Sequence, residues 1–137
     1  MLRGIKTGNY AEHLIALDMA RNEGFDEMLF FNISDELCEA AMANVFLIRD
    51  KELYTPSLDS GCLPGVTREL IIRMAASHKI PCHLTPLTKK DLSKADGIFL
   101  TSSIKGPVWV SAFQARAYPV HTLFSKIQNL WLESMRK

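Results

Sequence analysis

Tyr54-Thr55-Pro56-Ser57-Leu58-Asp59-Ser60-Gly61-Cys62-Leu63-Pro64-Gly65-Val66-Thr67-Arg68 is the stretch on which the reading of this chain turns. Pro56, Gly61, Pro64 and Gly65 punctuate it and rule out regular structure across it. Directly after it, Leu70, Ile71, Met74 and Ala75 recur at helical spacing. The stretch is therefore a stiff loop aimed at the start of a helix. Backbone N–H groups at Gly65, Val66 and Thr67 would lie at that helix N-terminus. A helix N-terminus favours anions, phosphate above all. The same pattern also describes an ordinary loop that caps a helix, with Thr67 in the first turn. Spacing alone leaves both readings standing.

Working outward, the flanking segments predict a mixed α/β chain. Asn9 to Glu23 has helical character, with Gly24 placed to end it. Met28-Leu29-Phe30-Phe31 is short and apolar enough for a buried strand, and Ile33 to Glu36 is a polar turn. Val45 to Ile48 and Leu53-Tyr54 read as a hairpin turning at Asp50-Lys51. Thr67 to His78 is the helix after the loop, and Pro81 ends it ahead of a strand at Cys82 to Leu84. Thr88 can cap a short helix through Lys94, with Asp91 as the returning carboxylate. Gly97 to Leu100 and Val108 to Val110 read as strands. Thr122 to Met135 is an amphipathic helix with Phe124, Ile127, Leu130 and Trp131 on one side. Strands outnumber helices and do not alternate strictly with them. A mixed sheet is expected rather than a doubly wound one, in one domain over residues 1–137.

The composition narrows the function classes. The 137 residues are 47% hydrophobic and 23% charged, enough for a sizeable core. A net charge of +1, with scattered basic residues, argues against nucleic acid and acidic membranes as partners. No apolar run reaches bilayer-spanning length and Met1 to Lys6 has no signal-peptide core, so a cytoplasmic location is expected. Cys38, Cys62 and Cys82 do not make a disulfide framework or a zinc site. Cys82 and His83 are neighbours, but adjacent strand residues face opposite ways and chelate poorly. His13, His78 and His121 lack partners at metal-ligand spacing, and no metal is expected. No glycine-rich dinucleotide or P-loop signature occurs.

Three segments in order, with a weaker fourth, resemble the class IV aminotransferases, the fold-type IV pyridoxal-phosphate enzymes. These include branched-chain and D-amino-acid aminotransferases and aminodeoxychorismate lyases. Ile5-Lys6-Thr7-Gly8-Asn9-Tyr10 is similar to the family's catalytic-lysine motif. Cys38-Glu39-Ala40-Ala41-Met42-Ala43-Asn44-Val45-Phe46 is similar to its Glu-x-x-x-x-Asn-[Leu/Val]-Phe motif. The opening loop from Leu58 to Arg68 is the third, and Phe99-Leu100-Thr101-Ser102-Ser103-Ile104-Lys105-Gly106 the fourth. The resemblance implies pyridoxal 5'-phosphate as cofactor and Lys6 as the catalytic amine that binds it. It implies Glu39 as the carboxylate on the ring nitrogen. A glutamate in so apolar a run is costly to bury unless paired, which independently favours a site role, although an outward-facing strand position would explain it as well. Tyr10 would bond the cofactor's phenolic oxygen. Val66 and Thr67 would cradle the phosphate through N–H and hydroxyl, and Ser103 and Ile104 would add the second phosphate turn.

The resemblance further implies transfer of an amino group between an amino acid and a 2-oxo acid, or pyruvate elimination from aminodeoxychorismate. It implies a homodimer. The chain corresponds to the family's C-terminal large domain, without the N-terminal small domain that supplies a phosphate-binding arginine and part of the substrate pocket. Activity in this chain is therefore open, and a non-catalytic remnant with an exposed apolar patch is the competing expectation. A phosphate-binding module using Gly65-Val66-Thr67 without pyridoxal phosphate is a third. Branch assignment stays open: Lys-Thr at Lys6-Thr7 suits the lyase and D-amino-acid branches, whereas Tyr10 suits the aminotransferases.

Overall fold

The computed structural model describes residues 11–136. Lys6 and Tyr10 lie outside them. A five-stranded mixed sheet in the order β5-β4-β3-β6-β7 forms the centre. Its strands are β3 (Asn44–Arg49), β4 (Glu52–Thr55), β5 (Cys82–Leu84), β6 (Gly97–Ser102) and β7 (Gly106–Trp109). Only β4 and β5 run parallel. The expected β3–β4 hairpin is present. Asp50 and Lys51 at its tip both take positive φ, 51° and 64°, as a tight turn matched to strand twist requires.

Two helices cover one face of this sheet. They are α2 (Val66–Ser77) and α4 (Thr122–Ser134). Phe46, Ile48, Leu53, Ile71, Ala75, Phe99, Phe124 and Ile127 fill the space between. Phe46 and Phe99 are cross-strand partners and stack at 5.0 Å. The period-2 alternation of β3 and β6 sends Val45, Leu47 and Ile98 to the opposite face. There they pack with Leu37, Leu87, Leu92 and Tyr118. Helix α3 (Lys89–Lys94) and a small hairpin, β8 (Ala112–Phe113) with β9 (Arg116–Ala117), lie on that side. The Asp91 carboxylate accepts from the Thr88 N–H at 2.7 Å, so the expected cap of α3 forms.

Two features were not expected. The run from Leu37 to Phe46 holds more than one strand. It is β2 (Leu37–Ala40), a tight connection, and β3. β2 pairs with β1 (Leu29–Phe31) in a separate two-stranded sheet, which the apolar run concealed because β2 is buried throughout. On α2, Leu70 points outward, while Thr67, Arg68, Ile71 and Ala75 are buried. The helix start is rotated inward because Thr67 and Arg68 have partners inside. Helix α1 (Ala11–Asn22) packs through Leu17 and Ala20, and Gly24 follows it with φ of +89°.

Candidate functional site: a clamped loop between a buried carboxylate and an open helix end

The edge of the helix-side core nearest the N-terminus of α2 is polar. Asn44 and Thr101 are cross-strand partners there, one step beyond the Phe46–Phe99 pair. Glu39 stands nearby on β2, only 8% exposed. Its Oε1 accepts the Leu63 N–H at 2.7 Å. The Asn44 Nδ2 donates to the Leu63 carbonyl at 2.8 Å. That carbonyl also accepts the Gly65 N–H at 2.9 Å. The peptide groups on both sides of Leu63 are thus clamped by the two polar residues of one motif. A five-residue spacing puts Glu39 on β2 and Asn44 at the start of β3, with the loop seated between them.

Glycine is required at the helix entry. A Cβ on Gly65 would run into the Asn44 Oδ1. Gly65 is the N-cap of α2 and contributes no side-chain cap. The first intrahelical bond is Glu69 N–H to the Gly65 carbonyl. Among the described residues, the N–H groups of Val66, Thr67 and Arg68 have no acceptor. Val66 is 71% exposed and Thr67 is buried. The Thr67 hydroxyl donates to the Ser102 carbonyl at 3.0 Å. That bond ties the helix end to the turn between β6 and β7. The expected Thr67 hydroxyl contact to phosphate is thereby met with a different partner, and its N–H remains open.

The turn itself is Ser103-Ile104-Lys105, all exposed. The Ser102 Oγ accepts the Lys105 N–H at 3.1 Å, which closes the turn. Gly106 follows with φ of +66°, and the Trp131 ring lies 2.6 Å from where its Cβ would be. Only glycine meets both conditions. Two sets of backbone N–H groups, from Val66-Thr67-Arg68 and from Ser103-Ile104, therefore sit on segments joined by the Thr67–Ser102 bond. Beneath them the Thr101 Oγ1 is buried without a hydrogen-bond partner. This donor set suits a phosphate.

Electrostatics mark the same place. Burial pushes the Glu39 carboxyl above the usual carboxylate range, while the Leu63 N–H and His13 pull it back. His13 Nε2 lies 3.6 Å from Glu39 Oε2. Cys38 and Cys62 flank the clamp. Burial, reinforced by the Glu39 charge, pushes the Cys38 thiol up to about 11. Such a thiol is inert packing. Arg68 is 1% exposed behind the loop, where it donates to the Pro56 carbonyl at 3.1 Å and pairs with Glu69 at 2.8 Å. It braces the start of the loop.

The structure thus places Val66, Thr67, Ser103 and Ile104 on two segments joined by the Thr67–Ser102 bond, and Glu39 on β2 bonded to the loop that leads into the first of them. His13, Leu63 and Arg68 were not expected. Leu63 acts through its backbone and leaves no trace in the sequence. His13 does leave one, because it precedes Leu17 and Ala20 on the inward stripe of α1. His83 bonds Glu52 at 2.7 Å, and the His121 ring accepts the Leu123 N–H at 3.0 Å. Among the described residues no group of three or more His, Cys, Asp or Glu side chains could hold a metal, and no helix could cross a membrane.

Comparison with known proteins meets this geometry. The profile of the class IV amino-transferase family matches residues 1–113. A "Probable branched-chain-amino-acid aminotransferase" of Thermotoga maritima is 36% identical over 102 residues, 73% of this chain and 37% of that protein. A "Putative 4-amino-4-deoxychorismate lyase" structure from Legionella pneumophila superposes with a TM-score of 0.93 at 36% identity. It covers 96% of this chain and 50% of that one. An aminotransferase from Brucella abortus, solved with its cofactor PLP, superposes with a TM-score of 0.89 at 26% identity, over 93% of this chain and 46% of that one. The chain spans half or less of the length of these proteins. On profile, relatives and fold together, this chain belongs to the class IV aminotransferase family.

Proposed function

We propose that this chain is the pyridoxal-phosphate-binding portion of a class IV enzyme that transfers an amino group between an amino acid and a 2-oxo acid. The observation that carries the reading is the clamp on Leu63. It joins the one buried carboxylate among the described residues, Glu39, to a helix end with open N–H groups, as a ring-nitrogen partner and a phosphate cup must be joined. When bound, pyridoxal phosphate supplies an electron sink that stabilises negative charge at the substrate Cα. Glu39 holds the proton on the ring nitrogen. The N–H groups of Val66 and Thr67, with the turn at Ser103 and Ile104, hold the phosphate. Lys6 provides the amine that attaches the cofactor and then carries the proton to and from the substrate Cα. Tyr10 bonds the phenolic oxygen.

The Legionella neighbour favours one second reading, elimination of pyruvate from aminodeoxychorismate, which uses the same cofactor side. Assays with a branched-chain amino acid plus 2-oxoglutarate, and with aminodeoxychorismate, separate the two. The working unit is a cytoplasmic homodimer in this reading. Support comes from α1, which exposes the apolar side chains of Leu14, Ile15 and Met19. Residues 1–137 form the cofactor domain, and a small domain like that of the longer relatives completes the substrate pocket. Turnover by the 137-residue chain would establish a catalyst, and uptake of cofactor without turnover a non-catalytic remnant.

The first experiment is optical. Wild type incubated with pyridoxal phosphate and desalted should keep a visible absorption band, and Lys6→Ala should lose it. A colourless wild type overturns the reading.

A further inference from the structure

We propose that His13 is a positioning residue for Glu39, its imidazole fixing and charge-balancing the carboxylate presented to the ring nitrogen; this rests on the cofactor reading above. The geometry is specific. His13 occupies the first position of the inward stripe His13-Leu17-Ala20 of α1, in which Leu17 and Ala20 are almost wholly buried. Its ring stands edge-on to Phe30, with centroids 4.5 Å apart and planes at 83°. Phe30 is the cross-strand partner of Glu39. One strand pairing therefore sets the carboxylate and the aromatic surface that orients the imidazole.

The two oxygens of Glu39 are served differently. Oε1 takes the Leu63 N–H at 2.7 Å and Oε2 faces His13 Nε2 at 3.6 Å. At 3.6 Å the contact is too long for a hydrogen bond and is an ion pair when the ring is protonated. The Glu39 side chain is 11% exposed and that of His13 28%. A buried carboxylate thus faces an imidazole that reaches solvent. The other titratable groups by Glu39 are the Cys38 thiol on β2 and the Cys62 thiol in the loop, both pushed upward by burial and hence neutral. From β1 the neighbour is the uncharged Phe30. Among the described residues His13 is the cation that favours the ionised carboxylate.

The test uses His13→Phe, which keeps the ring against Phe30, His13→Gln, which keeps polarity, and His13→Lys, which keeps a cation. In the cofactor-free chain, carbon-13 carboxyl shifts of Glu39 are followed against pH. The Glu39 midpoint should rise by about one pH unit in the Phe and Gln variants and return toward wild type in the Lys variant. Pyridoxal-phosphate affinity, read by fluorescence at pH values between the two midpoints, should fall by up to about tenfold with that shift. A Glu39 midpoint indifferent to position 13 in folded His13→Phe and His13→Gln overturns the proposal, and so does a moved midpoint with unchanged affinity. A wild-type chain that takes up no cofactor, yet shows the coupling by NMR, would overturn the cofactor reading and leave the pairing of His13 with Glu39 standing.

Discussion

Helices α2 and α4 lie side by side on one face of the sheet, yet their N-termini are finished in opposite ways. At α4 the His121 ring accepts the Leu123 N–H at 3.0 Å, a side-chain cap that satisfies one N–H of the terminus. At α2 the N-cap is Gly65, which has nothing to donate or accept beyond its backbone. Its approach is instead held from outside, by Glu39 and Asn44 on Leu63 and by Thr67 on Ser102. A closed terminus is finished by its own sequence neighbours. An open one is kept in place by distant residues so that its N–H groups can serve a ligand. The difference separates a structural helix start from a binding one more sharply than loop composition does.

Four predictions bear on that comparison. The largest effect is expected for Gly65→Ala, whose Cβ would displace Asn44 from the Leu63 carbonyl. Overpacking and the lost bond should cost about 2–3 kcal/mol in denaturant unfolding, and pyridoxal-phosphate affinity should fall with it. Unchanged affinity would break the link between the clamp and the cup. Thr67→Val should cost about 1–2 kcal/mol by leaving the Ser102 carbonyl unpaired, and should weaken binding of inorganic phosphate. His121→Ala should cost about 1 kcal/mol while phosphate and pyridoxal-phosphate affinities stay as in wild type. Binding lost in His121→Ala would show that the two termini are not independent.

The smallest effect is a slope with pH. Glu39 is held above its ordinary range by burial, so the folded chain keeps its proton longer than the unfolded chain. Stability of the cofactor-free chain should therefore fall as pH rises from the ordinary glutamate midpoint to the raised one. Glu39→Gln should remove that slope, and its persistence in the variant would place its origin elsewhere.

Much of this was legible in the chain. The hairpin at Asp50-Lys51 and the cap of α3 by Asp91 are local, set by turn and capping chemistry within a few residues. Glu39 announced itself as a carboxylate in an apolar run. The β1–β2 pairing was not legible, because a strand buried on both faces loses its alternation. The outward turn of Leu70 was hidden too. Helical periodicity finds a stripe, but the partners of Thr67 and Arg68, Ser102 and Pro56, decide which way it faces.

The sequence by itself determined the helices and most strands, the mixed sheet and the ordered segments that mark the family, since these rest on propensity, spacing and residue type. Only the tertiary structure decided that Glu39 and Asn44 grip the two sides of Leu63, that Thr67 is tied to Ser102, and that His13 faces Glu39. These contacts join residues 24, 19, 35 and 26 positions apart. Hydrogen bonds and ion pairs act over a few ångströms in space, so no local pattern in the chain encodes them.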